Sequence, residues 1–466
     1  MQTPTVQSEI RRGWARIGSR FLPFADAATP DLPLSRLLRL SLFQVSVGMA
    51  LVLMIGTLTR VMIVELKVPA ALVGIMISLP LIFAPFRALI GFRSDHHRSA
   101  LGWRRVPYLW MGTMVQFGGL AIMPFALLVL SGLGHASHAP AWVGHMAAGI
   151  AFLLVGAGLH TTQTVGLALA TDLASPESRP KVVGLMYVML LLGMIVSAII
   201  FGAALADFSP GRLIRVIQGA AIMTLVLNVV ALWKQESRSR DRAGAPAMAP
   251  DFRLSWQSFC QGEHAVRRLI AIGLGTMAFT MEDVLLEPYG GEILGLSVGT
   301  TTLLTAALAI GGLLGFGFAS RVLSRGADPL RLAGVGAAVG LPAFMLVIFS
   351  APLQMPVLFA SGTLLIGLGA GLFGHGTLTA TMNLAPKSQS GLALGAWGAV
   401  QASGAGVAVA LGGILRDVAA AIGGPAFGYM SVYALELVLL VLTLAVMAPL
   451  MRAKSSSQVL GNNTRS

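Results

Sequence analysis

Residues 106–171 contain no Asp, Glu, Lys or Arg. A water-soluble domain devotes about a quarter of its residues to those four types, so a stretch this long without them cannot build a water-facing surface. It does provide two membrane-crossing helices of ~20 mostly apolar residues each, with a turn near Gly132–Pro140. The same test marks residues 40–59, 68–86, 182–206 and 216–233 in the first part of the chain. In the second part it marks a span opening at Leu269, residues 293–320, 332–386 (two spans, with a break near Pro352–Pro356), 388–415 and roughly 426–451, the last holding Glu436. The prediction is an all-α membrane protein of twelve spans, six on either side of an Arg-rich stretch from Lys234 to about Glu263. Only 11% of the chain is charged and its mean hydropathy is +0.79, which excludes an ordinary cytosolic domain. Glycine reaches 55 of 466 residues without a triplet period, so the chain is not collagen-like either.

The net charge of +13 would suggest nucleic acid in a soluble protein. Here the placement of the cations decides, because Lys and Arg collect in cytoplasmic loops. With both termini inside, 27 of the 32 Lys and Arg fall on the cytoplasmic side, leaving Arg60, Lys67, Arg212, Arg215 and Arg416 outside. The expected organisation is a basic N-terminal segment (1–38), a first six-helix half (39–233), a cytoplasmic linker (234–264), a second half (265–451) and a cytoplasmic tail (452–466). Neither a nucleic-acid partner nor a cleavable signal peptide is expected. The single cysteine, Cys260, has no partner for a disulfide or a metal.

The halves share a register. A shift of 211 residues places Gly156 on Gly367, Gly158 on Gly369, Asp172 on Asn383, Gly184 on Gly395, Gly193 on Gly404 and Gly202 on Gly413. Spans four and five therefore match spans ten and eleven in the same direction, the parallel repeat of major facilitator transporters.

Several residues stand out against this apolar background. The loop after span two holds Gly91, Asp95, Arg98, Gly102, Arg104 and Arg105, resembling the signature loop of that superfamily, in which an Asp caps a helix and arginines pair across the cytoplasmic gate. His96 and four extra residues before Gly102 depart from the pattern, and a plain basic loop is the alternative. Span four carries His160 and Gln163; His160 lies twelve residues, or ~18 Å, from Asp172. Span ten carries His375, ~12 Å from Asn383. A neutral imidazole at that depth needs a partner: either a hydroxyl or carbonyl of a neighbouring helix, or the metal of a tetrapyrrole. A small-residue stripe on span eleven (Gly391, Gly395, Gly398, Ala402, Ala405) suits close helix packing or the flat face of a pigment equally.

Span seven ends in Glu282, Asp283 and Glu287 before Pro288, which should stop the helix. Asp283 and Glu287 are four apart and should share a face. With Glu436 of span twelve they form an intramembrane polar group, and no Lys or Arg is expected at their depth. Proton coupling, helix capping and ligand contact are all open to them. The segment with Ile10, Trp14, Ile17 and Phe21 on one face and arginines around it reads as a candidate interfacial helix on anionic lipid, though Gly13 and Gly18 interrupt it. No P-loop, nucleophile elbow, paired metal-binding cysteines or dinucleotide fingerprint occurs, so the chain is not expected to be an enzyme or to bind a metal directly.

Five strings carry a specific resemblance: Leu-Pro-Phe-Ala-Asp-Ala-Ala at 22–28, Leu-Phe-Gln-Val-Ser-Val-Gly-Met at 42–49, Arg-Ser-Asp-His-His-Arg-Ser-Ala-Leu-Gly-Trp-Arg-Arg-Val-Pro-Tyr at 93–108, the His160/Gln163 motif and Leu-Leu-Glu-Pro-Tyr-Gly-Gly at 285–291. Together they resemble the PucC/LhaA family, the bacteriochlorophyll-delivery branch of the major facilitator superfamily in purple photosynthetic bacteria. The resemblance implies an assembly factor for light-harvesting antenna complexes that hands over bacteriochlorophyll or chaperones insertion of the antenna polypeptides. It places the chain in the inner or intracytoplasmic membrane. The implied partners are antenna polypeptides, bacteriochlorophyll as cargo, its biosynthetic enzymes and membrane lipid. His160, with Gln163 as a supporting or alternative ligand, and then His375 become the candidates to bind the pigment magnesium. A proton-coupled transporter of a small amphiphile is the alternative.

Overall fold

The computed structural model describes residues 29, 32–82, 90, 94, 103–131, 140–175, 178–236, 264–384 and 390–463. The basic N-terminal pattern, Gly91, Asp95, Arg98, Gly102 and Cys260 lie outside the described residues. Among those described, the chain is helical throughout: α1 (Leu34–Glu65), α2 (Ala70–Ile82), α3 (Val106–Leu130), α4 (Ala141–Leu173), α5 (Arg179–Ala204) and α6 (Pro210–Leu232) precede the linker. After it come α7 (Ala265–Val284 with Leu286–Glu292), α8 (Val298–Leu323), α9 (Pro329–Leu353), α10 (Pro356–Leu384), α11 (Ser390–Gly423) and α12 (Pro425–Asn463). Ten are long and apolar enough to cross a bilayer, α7 is a span bent by 41°, and α2 is a shorter apolar helix. Large apolar side chains such as Phe125, Ile200, Leu314, Val407 and Val441 are exposed around the outside, where only lipid can cover them.

The helices start where local chemistry satisfies their free N–H groups. Ser209 accepts from the N–H of Arg212, Ser297 from that of Thr300, and Asp328 from those of Leu330 and Arg331. The start of α3 is capped from a distance instead. Glu236, just beyond α6, accepts from the N–H groups of Arg104 (2.8 Å), Arg105 (3.0 Å) and Val106 (3.0 Å). The neighbouring Gln235 is held by Arg36 at the opening of α1.

The 211-residue register predicts which glycines do equivalent work, and the packing agrees. Gly156 of α4 sits against Pro80 of α2, and its counterpart Gly367 of α10 against Leu308 of α8. Gly158 meets Gln116 of α3, while Gly369 meets Gly336 of α9. Gly193 packs α5 on Val45 of α1, and Gly404 packs α11 near Gly273 of α7. Finally, Gly202 joins α5 to Gly299 of α8, and Gly413 joins α11 to Ala70 of α2. Each pair uses the missing Cβ to let a neighbouring helix approach closely. The last pair also defines the seam between the halves, formed by α5 on α8 and α2 on α11. Asp417 of α11 crosses that seam to accept from Ala71 N–H at the start of α2, 2.7 Å away.

Two local expectations are overturned. Pro288 does not stop the seventh span. The chain breaks earlier, in a 3₁₀ turn at Met281–Val284, and Pro288 stands in the first turn of the short helix Leu286–Glu292, where its missing N–H costs nothing. The first span runs on past residue 59 through two π-helical stretches, Val52–Thr57 and Val61–Glu65. Arg60, placed outside by charge counting, is therefore buried within α1 at 4% exposure.

Candidate functional site

His160 and Gln163 lie one turn apart on α4, both half-buried. The glycine beside them, Gly158, is used up in contact with α3. His375 lies on α10, the repeat-equivalent helix, one turn out of register. Its ring stands edge-on to Phe316 of α8, 4.3 Å between centroids, and Phe316 lies 6.3 Å from the ring of Tyr187 on α5. These three rings run from the second half into the first. The Nδ1 atom of His375 is buried without a hydrogen-bond partner, and the adjacent Gly374 has nothing within 4 Å of where a Cβ would sit. On α11, Gly398 also faces open space, so that part of the stripe is not spent on helix packing.

The four intramembrane acids divide into two environments, because the 3₁₀ turn interrupts the spacing that would have put Asp283 and Glu287 on one face. Glu287 is satisfied. It accepts from Thr305 at 2.7 Å and Thr302 at 3.3 Å, and Thr302 lies 3.3 Å from Thr57 on α1. Its carboxylate fills the space left by Gly56, also on α1. Arg60 lies within electrostatic range of it, its guanidinium packed where a side chain on Gly291 would be. The expectation that no Lys or Arg reaches the depth of the acids thus fails. The π-helical winding of α1 carries Arg60 inward, where it also pairs with Glu65 at 3.0 Å.

Glu282 and Glu436 are the opposite case. Both are 0% exposed, and none of their four carboxylate oxygens has a hydrogen-bond partner of good geometry. They lie within electrostatic range of each other, of Asp283 and of Tyr433, whose buried hydroxyl is also unpartnered. Next to this cluster, Tyr433 and Tyr429 both stand edge-on to Tyr289, at 5.6 and 5.4 Å. The Tyr289 hydroxyl donates to the Val347 carbonyl at 3.0 Å. Toward the end of α12 away from the termini, Arg416 of α11 binds Glu292, which also accepts from Tyr429 at 2.8 Å.

Of the signature-loop residues, Arg104 and Arg105 are described. Both bind Asp172 at the end of α4, Arg105 through Nε at 3.0 Å, while Arg105 also donates to Ser94 at 2.6 Å. This pairing stays inside the first half rather than crossing to the second. Sequence reasoning missed Asp172 as the arginines' partner, although its position opposite Asn383 in the repeat marked it as a place where the halves differ. It also missed Arg60 and Tyr433, whose roles depend on which helices meet.

Twelve helices among the described residues, at least ten of them long and apolar enough to span a bilayer, a parallel six-helix repeat and a seam of α5 on α8 and α2 on α11 define a multi-pass membrane protein of major facilitator type. A bacterial homologue of the human lysosomal transporter Spinster shares the fold, with a TM-score of 0.64 at 15% identity, over 89% of this chain and 95% of that one. The model of the PUCC protein family matches residues 57–455, and the chain belongs to that family. It is 66% identical over 408 residues to Protein PucC of Rhodovulum sulfidophilum, covering 86% of this chain and 89% of the relative. To Protein PucC of Cereibacter sphaeroides it is 58% identical over 451 residues, covering 96% and 98%.

Proposed function

We propose that the chain is an assembly factor for light-harvesting antenna complexes, which delivers bacteriochlorophyll to antenna polypeptides or chaperones their insertion. Family membership over residues 57–455 carries the reading. The charge count of 27 against 5 supports termini on the cytoplasmic side of a photosynthetic membrane. Antenna polypeptides are the expected partners and bacteriochlorophyll the expected cargo. His160, supported by Gln163, and then His375 are the candidate magnesium ligands; beside His375 an aromatic ring stands at 4.3 Å and Gly374 leaves open space. The chain itself carries out no chemical conversion in this reading.

The test is an absorption spectrum of the protein purified in mild detergent from a photosynthetic host. Near-infrared bacteriochlorophyll bands should accompany the protein and weaken in His375→Ala, with His160→Ala measured beside it. A colourless preparation that retains antenna polypeptides would leave only the chaperone role. A colourless preparation without them would overturn the proposal.

One observation favours a second reading, a proton-coupled transporter of a small amphiphile. Glu282 and Glu436 are fully buried within electrostatic range of each other and pair with no Lys or Arg among the described residues, a setting suited to a proton-carrying site. That reading predicts solute uptake into vesicles that collapses with the proton gradient and is lost in Glu282→Gln.

A further inference from the structure

On the side of the bundle where α1 begins and α12 ends, the starts of α1 and α3 and the end of α6 surround a groove of about 790 Å³. Three of the seven tryptophans of the chain, Trp103, Trp110 and Trp233, line it. Indole rings gather where a membrane meets water, with the apolar body in lipid and the N–H toward the headgroups. Trp110 is 43% and Trp233 61% exposed, so the groove opens outward toward the bilayer. Its inner wall is apolar, formed by Val229 and Leu232 of α6.

Among the described residues the charges at its mouth are unbalanced. Glu236 is the acid among the lining residues, and its two oxygens are occupied by the three N–H groups that start α3. Arg36 is fixed by two hydrogen bonds to Gln235, at 3.2 and 2.7 Å, both to neutral oxygens. Lys234 is exposed, in left-handed backbone conformation with φ of 52°, and forms no ion pair among the described residues. Two cations thus face a groove whose acid is already committed, above an apolar wall and inside a tryptophan rim. A small soluble anion would leave the apolar wall unused, and a zwitterionic lipid would leave the charge unmatched.

We propose that this groove is a binding site for one anionic phospholipid of the surrounding leaflet, with its phosphate between Arg36 and Lys234 and its acyl chains along Val229 and Leu232. The assignment is independent of pigment binding and of antenna assembly.

The test uses the full-length protein in phosphatidylcholine vesicles, with tryptophan fluorescence read as brominated phosphatidylglycerol replaces part of the lipid. Quenching should saturate at a lower mole fraction than with brominated phosphatidylcholine. Lys234→Gln, which removes a side chain that makes no bond among the described residues, should raise the midpoint roughly fivefold, the worth of one cation at an anionic surface. Adding Arg36→Gln should raise it further, and Arg212→Gln at the opposite end should leave it unchanged. Equal quenching by the two brominated lipids, or a midpoint that ignores Lys234→Gln, would overturn the proposal. Displacement of the brominated lipid by soluble glycerol phosphate would overturn it too, in favour of a small-anion site.

Discussion

Asn228 on α6 and Glu436 on α12 occupy repeat-equivalent helices, and both are fully buried. Asn228 is bonded at both ends of its amide: Oδ1 accepts from Ser46 at 2.9 Å and Nδ2 donates to Thr113 at 3.0 Å. Neither Glu436 nor Glu282 has a side-chain hydrogen-bond partner among the described residues, and the Glu436 carboxyl has the backbone of Glu282 beside it. An amide carries a donor and an acceptor, so it can close a small network with two hydroxyls. An ionised carboxylate carries acceptors alone, and two carboxylates together cannot satisfy each other without a proton. One scaffold therefore holds a completed polar contact in its first half and an incomplete one in its second. Burial of unmatched acceptors is expensive, and in a membrane-spanning helix it marks a position kept for function.

The comparison can be broken or sharpened by substitution, read as unfolding of the purified protein. The largest loss is expected at the acid that is satisfied. Glu287→Leu removes the acceptor for Thr302 and Thr305 and strips Arg60 of a nearby counter-charge, for a cost of roughly 3 kcal/mol. Next comes Asn228→Leu, which leaves Ser46 and Thr113 without their shared partner. Hydrogen bonds between membrane helices are individually weak, so roughly 1–2 kcal/mol is expected. The smallest effect belongs to Tyr433→Phe, whose hydroxyl has no bond to lose; stability should hold or rise slightly. A loss at Tyr433→Phe as large as that at Asn228→Leu would mean the second-half cluster is bonded after all, and the contrast would fail.

Much of the architecture was readable because it rests on local rules. Charge-free length marks spans, and four of the matched glycine pairs report close approach between equivalent helices in the bundle. The candidate site was less readable. That Arg104 and Arg105 converge on Asp172, that Arg60 turns inward, and that α7 breaks before Pro288 rather than at it are all consequences of which surfaces meet across the fold. An arginine near a span boundary looks the same in sequence whether it ends the helix or winds inward with it. His375 could be located by its depth, but the ring chain through Phe316 to Tyr187 joins helices from both halves and leaves no trace in spacing.

The long-range cap on α3 has a consequence for the order of events on the ribosome. The first N–H groups of α3 must wait, uncapped, until synthesis has passed α4, α5 and α6 and produced Glu236. When that residue emerges it returns to the opening of α3 while Gln235 closes on Arg36 at the opening of α1. The first six helices are thus tied off by the residues that immediately follow them, before any of the second six has been made.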